Sequence, residues 1–196
     1  MPTSRLEAFS DGVLAIIITI MVLELKVPEA PTLAALGDTT TGLLTYLLSF
    51  VYIGIYWNNH HHLLHLTRQV NGLVLWANLN LLFWLSLYPL TTRWMDESHV
   101  ARTPVVVYGV NLLLAGVAYY LLQLAIMRAD GESSLLREAI GRDLKGHLSP
   151  VIYLLGVVLA FVRPWMGLVL FVVVAVMWLV PDRRLEGYVA RHGVHD

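Results

Sequence analysis

Apolar runs separated by short polar stretches set the pattern of this chain. The first is free of charge from Gly12 to Leu23, with Asp11 at its mouth and Glu24 closing it. A helix crossing the hydrocarbon of a bilayer needs about 20 mostly apolar residues. Six segments qualify, at approximately 6–27, 41–66, 70–92, 104–127, 148–162 and 165–180. The last two are short and are joined by the tight turn Val162-Arg163-Pro164-Trp165, so they read as a hairpin. The pattern predicts an all-α integral membrane protein: six transmembrane helices forming one domain over residues 1–196. The first run follows a single Arg, and no small-residue cleavage pattern follows it, so it reads as a retained helix.

Lys and Arg in the loops set the orientation. With the N-terminus cytoplasmic, that side carries Arg5, Arg68, Arg128, Arg137, Arg142, Lys145, Arg183, Arg184 and Arg191. The other side carries Lys26, Arg93, Arg102 and Arg163. Nine against four places both termini inside. Trp57, Trp76, Trp94, Trp165 and Trp178 fall mostly near predicted helix ends, where interfacial anchors sit. The long polar stretch 128–147 is expected to form a short amphipathic helix on the cytoplasmic surface.

Composition narrows the function classes. Hydrophobic residues make up 57% and charged residues 14%, against soluble averages of roughly 45–50% and about 25%. The net charge of −1 and the lack of a basic tract exclude a nucleic-acid partner. With no cysteine, disulfides, thiol chemistry and iron–sulfur clusters are ruled out. No nucleophile–base pair, glycine-rich phosphate loop or paired intramembrane acids occur, so an enzyme is not expected and no cofactor is implied.

On the first helix, a period of 100° per residue puts Ile16, Thr19 or Ile20, Leu23 and Val27 on one face. Asp11 lies about 140° away from Ile16. An acid inside a span costs a few kcal/mol unless it is paired or faces water. Arg5, Ser10 and the polar end of the second helix are its candidate partners. The expected role is a carboxylate pinning helix ends through hydrogen bonds, in preference to a proton or cation site.

The second helix ends in Tyr56-Trp57-Asn58-Asn59-His60-His61-His62-Leu63-Leu64-His65. His61 and His65 are four apart, so a metal ion could bridge them. No HExxH pattern is present, however, and residues 39–95 contain no Asp or Glu. A hydrogen-bonding set near the interface is the expected reading, and a metal site on His61 and His65 the weaker one. Asn71, Asn78 and Asn111 are expected to bond across helices, and Gly109, Ala115 and Gly116 to allow close packing.

The run Ser4 to Pro28, with its R-x-x-x-F-S-D pattern on Arg5, Phe9, Ser10 and Asp11, resembles the signature of the transmembrane protein 175 family of potassium channels. The Trp-and-His motif around Trp57, His61 and His62 is similar to that family's second helix. The resemblance implies a prokaryotic single-repeat member, assembled as a homotetramer in the plasma membrane, with the first helix of each subunit lining a central pore. By position it implies Ile16 as a first constriction, Thr19 as a hydroxyl layer and Leu23 as a further constriction. It also implies that Arg5, Ser10, Asp11 and the histidines brace the cytoplasmic helix ends. The implied activity is passage of K⁺ and other monovalent cations. No T-V-G-Y-G carbonyl ladder exists in the chain. Selection would therefore rest on pore size and dehydration, and favour K⁺ over Na⁺ moderately. The competing expectation is a proton-coupled secondary transporter using Asp11 and the second-helix histidines; the lack of inverted repeats argues against it.

Overall fold

A computed structural model of the chain describes residues 2–131, 134–136 and 144–179, and its regular elements there are all helices. The helices are α1 (Thr3–Leu23), α2 (Ala35–Asp38), α3 (Thr40–His65), α4 (Gly72–Ser86), α5 (Tyr88–Glu97), α6 (Arg102–Asp130), α7 (Leu144–Val162) and α8 (Pro164–Leu179). Among the described residues, five stretches are long and apolar enough to cross a membrane: α1, α3, α4 with α5, α6, and α7 from Lys145. The sixth expected span, α8, is described for 16 apolar residues. At 1.5 Å per residue that is about 24 Å, short of a hydrocarbon core of about 30 Å. The middle of the polar stretch expected to form an amphipathic helix, residues 132–133 and 137–143, lies outside the described residues. So do Arg137, Arg142, Arg183, Arg184 and Arg191 of the charge count.

Several boundaries differ from the hydropathy reading, and three of them have a visible neighbour. The first helix stops at Leu23 rather than running to Val27, and Glu24 caps it. The Glu24 carboxylate meets Arg93 Nη1 at 3.4 Å. The third span is broken at Leu87, because Pro89 in the first turn of α5 has no N–H for the carbonyl one turn back. The fourth span runs on to Asp130. Its carboxylate accepts the backbone N–H groups of Arg68 and Gln69 at 3.3 and 3.0 Å, stapling the α3–α4 connection to the end of α6.

Helix α6 is the centre of the packing, against α4 on one side and α7 on the other, while α7 and α8 close as a hairpin. The core is aromatic. Tyr52, Tyr88, Tyr108, Tyr153 and Phe171 meet through ring pairs 6.1–6.4 Å apart. Tyrosines are tolerable in an apolar core when their hydroxyls find partners. Tyr52 donates to the Phe171 carbonyl at 2.6 Å, and Ser49 joins Tyr108 at 3.0 Å and Thr92 at 2.7 Å.

Small residues permit the closest approaches. A Cβ on Gly109 would collide with the Phe171 ring, while Gly116 has more room, with Tyr153 at 3.7 Å. The hairpin is tightest at Gly167, where an added Cβ would lie 2.7 Å from the Gly156 carbonyl and 2.8 Å from Ala160 Cβ. Neither atom can rotate away, so the two helices must part. Gly167→Ala is expected to destabilise the protein by about 1–3 kcal/mol, a typical overpacking cost. Unfolding in detergent checks this, and Gly12→Ala, with nothing within 4 Å, is the control that should change little.

Candidate functional site

Helix α1 has two unlike faces. Leu6, Ser10, Leu14, Ile17 and Met21, spaced three or four apart, are buried against α3, α4 and α5. On the other side Ile16 is 60% exposed and Leu23 77%, and Thr19, Ile20 and Phe9 are exposed too. The neighbours Ile16 and Ile17 differ only by 100° of rotation, yet Ile17 is 3% exposed. Val27, expected on the same face, lies beyond the helix end and shares no helical register with it. Thr19 and Ile20 both point away from the bundle, so burial does not separate them. The Thr19 hydroxyl donates to the Ala15 carbonyl at 2.8 Å. Its proton is thereby used inward, and the oxygen lone pairs remain for whatever faces the stripe.

The inner face of α1 carries a polar relay instead. Ser10 Oγ donates to the Leu6 carbonyl at 2.8 Å and accepts from Asn78 Nδ2 at 3.0 Å. The Asn78 carbonyl oxygen in turn accepts from His60 Nε2 at 2.7 Å. All three side chains are buried, so α1, α3 and α4 are tied by a chain of bonds that water does not reach. Of the three asparagines expected to bond across helices, Asn78 does. Asn71 caps its own helix by accepting the Val74 N–H at 3.0 Å. Asn111 is buried with neither amide atom bonded.

The sequence motif residues separate by helical phase. Ser10 is in the relay, whereas Arg5 and Phe9 are exposed. Asp11 is half-buried and makes no side-chain hydrogen bond or ion pair among the described residues. Within one chain the side-chain bonds from this end of α1 to its neighbours are made by Ser10, one of the expected residues, and by Glu7, because positions 6, 10 and 14 face the bundle and position 11 is turned 100° from Ser10. Glu7 Oε1 accepts from His61 Nδ1 at 2.7 Å and lies 4.0 Å from His65 Nε2. Trp57 stacks on the His61 ring at 6.5 Å, and His62 meets that ring edge-on at 5.6 Å. At the far end of α1, Arg93 binds both Glu24 and Glu97.

Sequence reasoning placed His60 in a hydrogen-bonding set but missed Glu7 and Arg93 as partners. The partner of His61 is 54 positions away, and no local spacing announces such a pair. The one available sign was that Glu7 falls three residues before Ser10, on the same side of the helix as the inward stripe.

Comparison with known proteins gives a consistent picture. The profile of the family described as "Endosomal/lysosomal potassium channel TMEM175" matches residues 5–89, which hold the first helix, the relay and the histidines. A potassium channel of Chryseobacterium sp. (strain P1-3) is 52% identical over 95% of this chain and 97% of its own length. A solved structure, described as a lysosomal potassium-selective channel TMEM175 homologue from Chamaesiphon minutus, superposes with a TM-score of 0.80. It is 28% identical, over 93% of this chain and 97% of that one. The human endosomal/lysosomal proton channel TMEM175 is 35% identical over 51% of this chain, which corresponds to 22% of that protein. With near-complete mutual coverage of a relative at 52% identity, the chain is an integral membrane protein that belongs to the TMEM175 family.

Proposed function

We propose that the chain is one subunit of a homotetrameric, K⁺-permeable channel of a prokaryotic plasma membrane, with all 196 residues forming one six-helix unit whose termini are both cytoplasmic. The α7–α8 hairpin supplies the fifth and sixth spans. The observation that carries the reading is the uncovered stripe on α1. Ile16, Thr19 and Leu23 project from a helix whose opposite face is held by a buried polar relay, which suits a pore-lining wall fixed from behind. Four copies around an axis would stack two aliphatic rings about 10 Å apart, with a hydroxyl layer between them. Rings of this kind close a pore by steric contact and dewetting, and Thr19 oxygens offer a passing cation partial replacement for water. Dehydration is less costly for K⁺ than for Na⁺, so moderate K⁺ preference follows. The potassium-channel names of the bacterial relatives point the same way.

Reconstituted in liposomes without ATP, the protein is expected to pass K⁺ down its gradient, faster than Na⁺, and without a proton gradient. Asp11→Asn should leave this passive flux in place, since Asp11 lies off the exposed stripe. A proton-coupled transporter would instead give flux that saturates, follows the pH gradient and vanishes in Asp11→Asn. That outcome would replace the channel reading.

A further inference from the structure

Glu7, His61 and His65 bring three metal-ligating atoms from two helices to within 4.8 Å of one another. An ordinary ion pair needs only Glu7 and His61. Here His65 also turns its Nε2 toward the same carboxylate oxygen, at 4.0 Å, and its ring meets that of His61 at 4.2 Å between centroids. We propose that Glu7, His61 and His65 form a binding site for a divalent transition-metal ion of the zinc class, clamping the N-terminal end of α1 to the C-terminal end of α3.

The donor set is two imidazoles and one carboxylate, with i, i+4 spacing on α3 supplying the imidazole pair. Zinc takes such ligands at about 2.0–2.2 Å in a tetrahedron, which places ligand atoms about 3.3 Å apart. The present separations bracket that value. His61 Nδ1 stands 2.7 Å from Glu7 Oε1 and His65 Nε2 stands 4.0 Å from it, so one gap must open and the other close. Both are side-chain movements. The groups have room for them, being 24% exposed for Glu7, 44% for His61 and 40% for His65. The same exposure gives an ion a route from water and leaves a fourth position for a solvent ligand. Trp57, stacked on His61, holds that ring in place. Calcium and magnesium, which require oxygen shells, are excluded by two nitrogen donors. Residues 39–95 contain no acid, so the carboxylate comes from another part of the chain, here Glu7 of α1, and the packing of α1 on α3 completes the site. Binding rests on this geometry alone and is independent of what the pore conducts.

The test uses the full chain, purified in detergent without a histidine tag and stripped of metal. Zn²⁺ uptake is measured by calorimetry, and Co²⁺ is titrated as an optical probe of tetrahedral ligation. Wild type should bind one ion per chain at this site and develop the visible absorption of tetrahedral Co²⁺. His65→Ala removes a ligand while leaving the Glu7–His61 bond that supports folding, and should weaken binding about tenfold or more and abolish the Co²⁺ band. Glu7→Gln should do the same, and His62→Ala should not. Wild type without the Co²⁺ band, or His65→Ala and Glu7→Gln binding zinc as wild type does, would overturn the assignment.

Discussion

Ile16→Ala should raise K⁺ flux through the reconstituted protein about tenfold and lower its preference for K⁺ over Na⁺. In the proposed tetramer each subunit contributes one Ile16 to a ring, so a single substitution removes apolar bulk from four directions. The ring opposes ions because water is unstable in a narrow apolar passage. A reduction of only about 1.4 kcal/mol in that barrier is tenfold in rate. Leu23→Ala, one ring further along, should act in the same direction. Ile17→Ala is the decisive companion. Ile17 is buried against the bundle, so truncation there should cost about 2–5 kcal/mol in the manner of core cavities and should not widen any passage. Flux assays and unfolding on the same pair separate the two faces. If Ile16→Ala leaves flux and selectivity unchanged, the stripe is not the pore wall.

Asn78→Leu should destabilise the protein by about 2 kcal/mol, while Asn111→Leu should be close to neutral. Leucine has the branched shape and heavy-atom count of asparagine and the swap is the same at both sites, so the difference lies in what is left behind. At position 78 the swap strands His60 Nε2 and removes the donor to Ser10, both of them buried. An orphaned buried polar group costs about 1–3 kcal/mol, and interhelical bonds in membranes average about 0.6 with a ceiling near 1.7. Two such bonds lost together give the figure stated. At position 111 neither amide atom is bonded, so an apolar replacement removes a polar group that gains nothing from its surroundings. Denaturant unfolding in detergent compares the two directly. Equal losses at both positions would mean that the relay does not hold α1, α3 and α4 together.

The second helix shows how closely hydropathy reads a span: the run expected over 41–66 forms α3 at Thr40–His65. Residues whose neighbours are a turn away behave as their phase requires. Ile16 and Leu23 share a face at seven-residue spacing, and that face is uncovered. Local reading was weaker at the ends. Helix α1 stops at Leu23, four residues before the expected end, and its closing residue Glu24 meets Arg93, 69 positions on, a contact that nothing around residue 24 signals.

The sequence by itself determined that the chain is a helical membrane protein and which positions of α1 share a side. These are properties of single helices, in which the bilayer selects for apolar length and the 3.6-residue turn orders the side chains. Only the tertiary structure decided which side of α1 the bundle covers. It also decided which asparagine joins Ser10 and His60, and that Glu7 rather than Asp11 meets the histidines. Each of those contacts joins separate helices across many positions of chain, and a hydrogen bond depends on the distance between atoms, not on the spacing of letters.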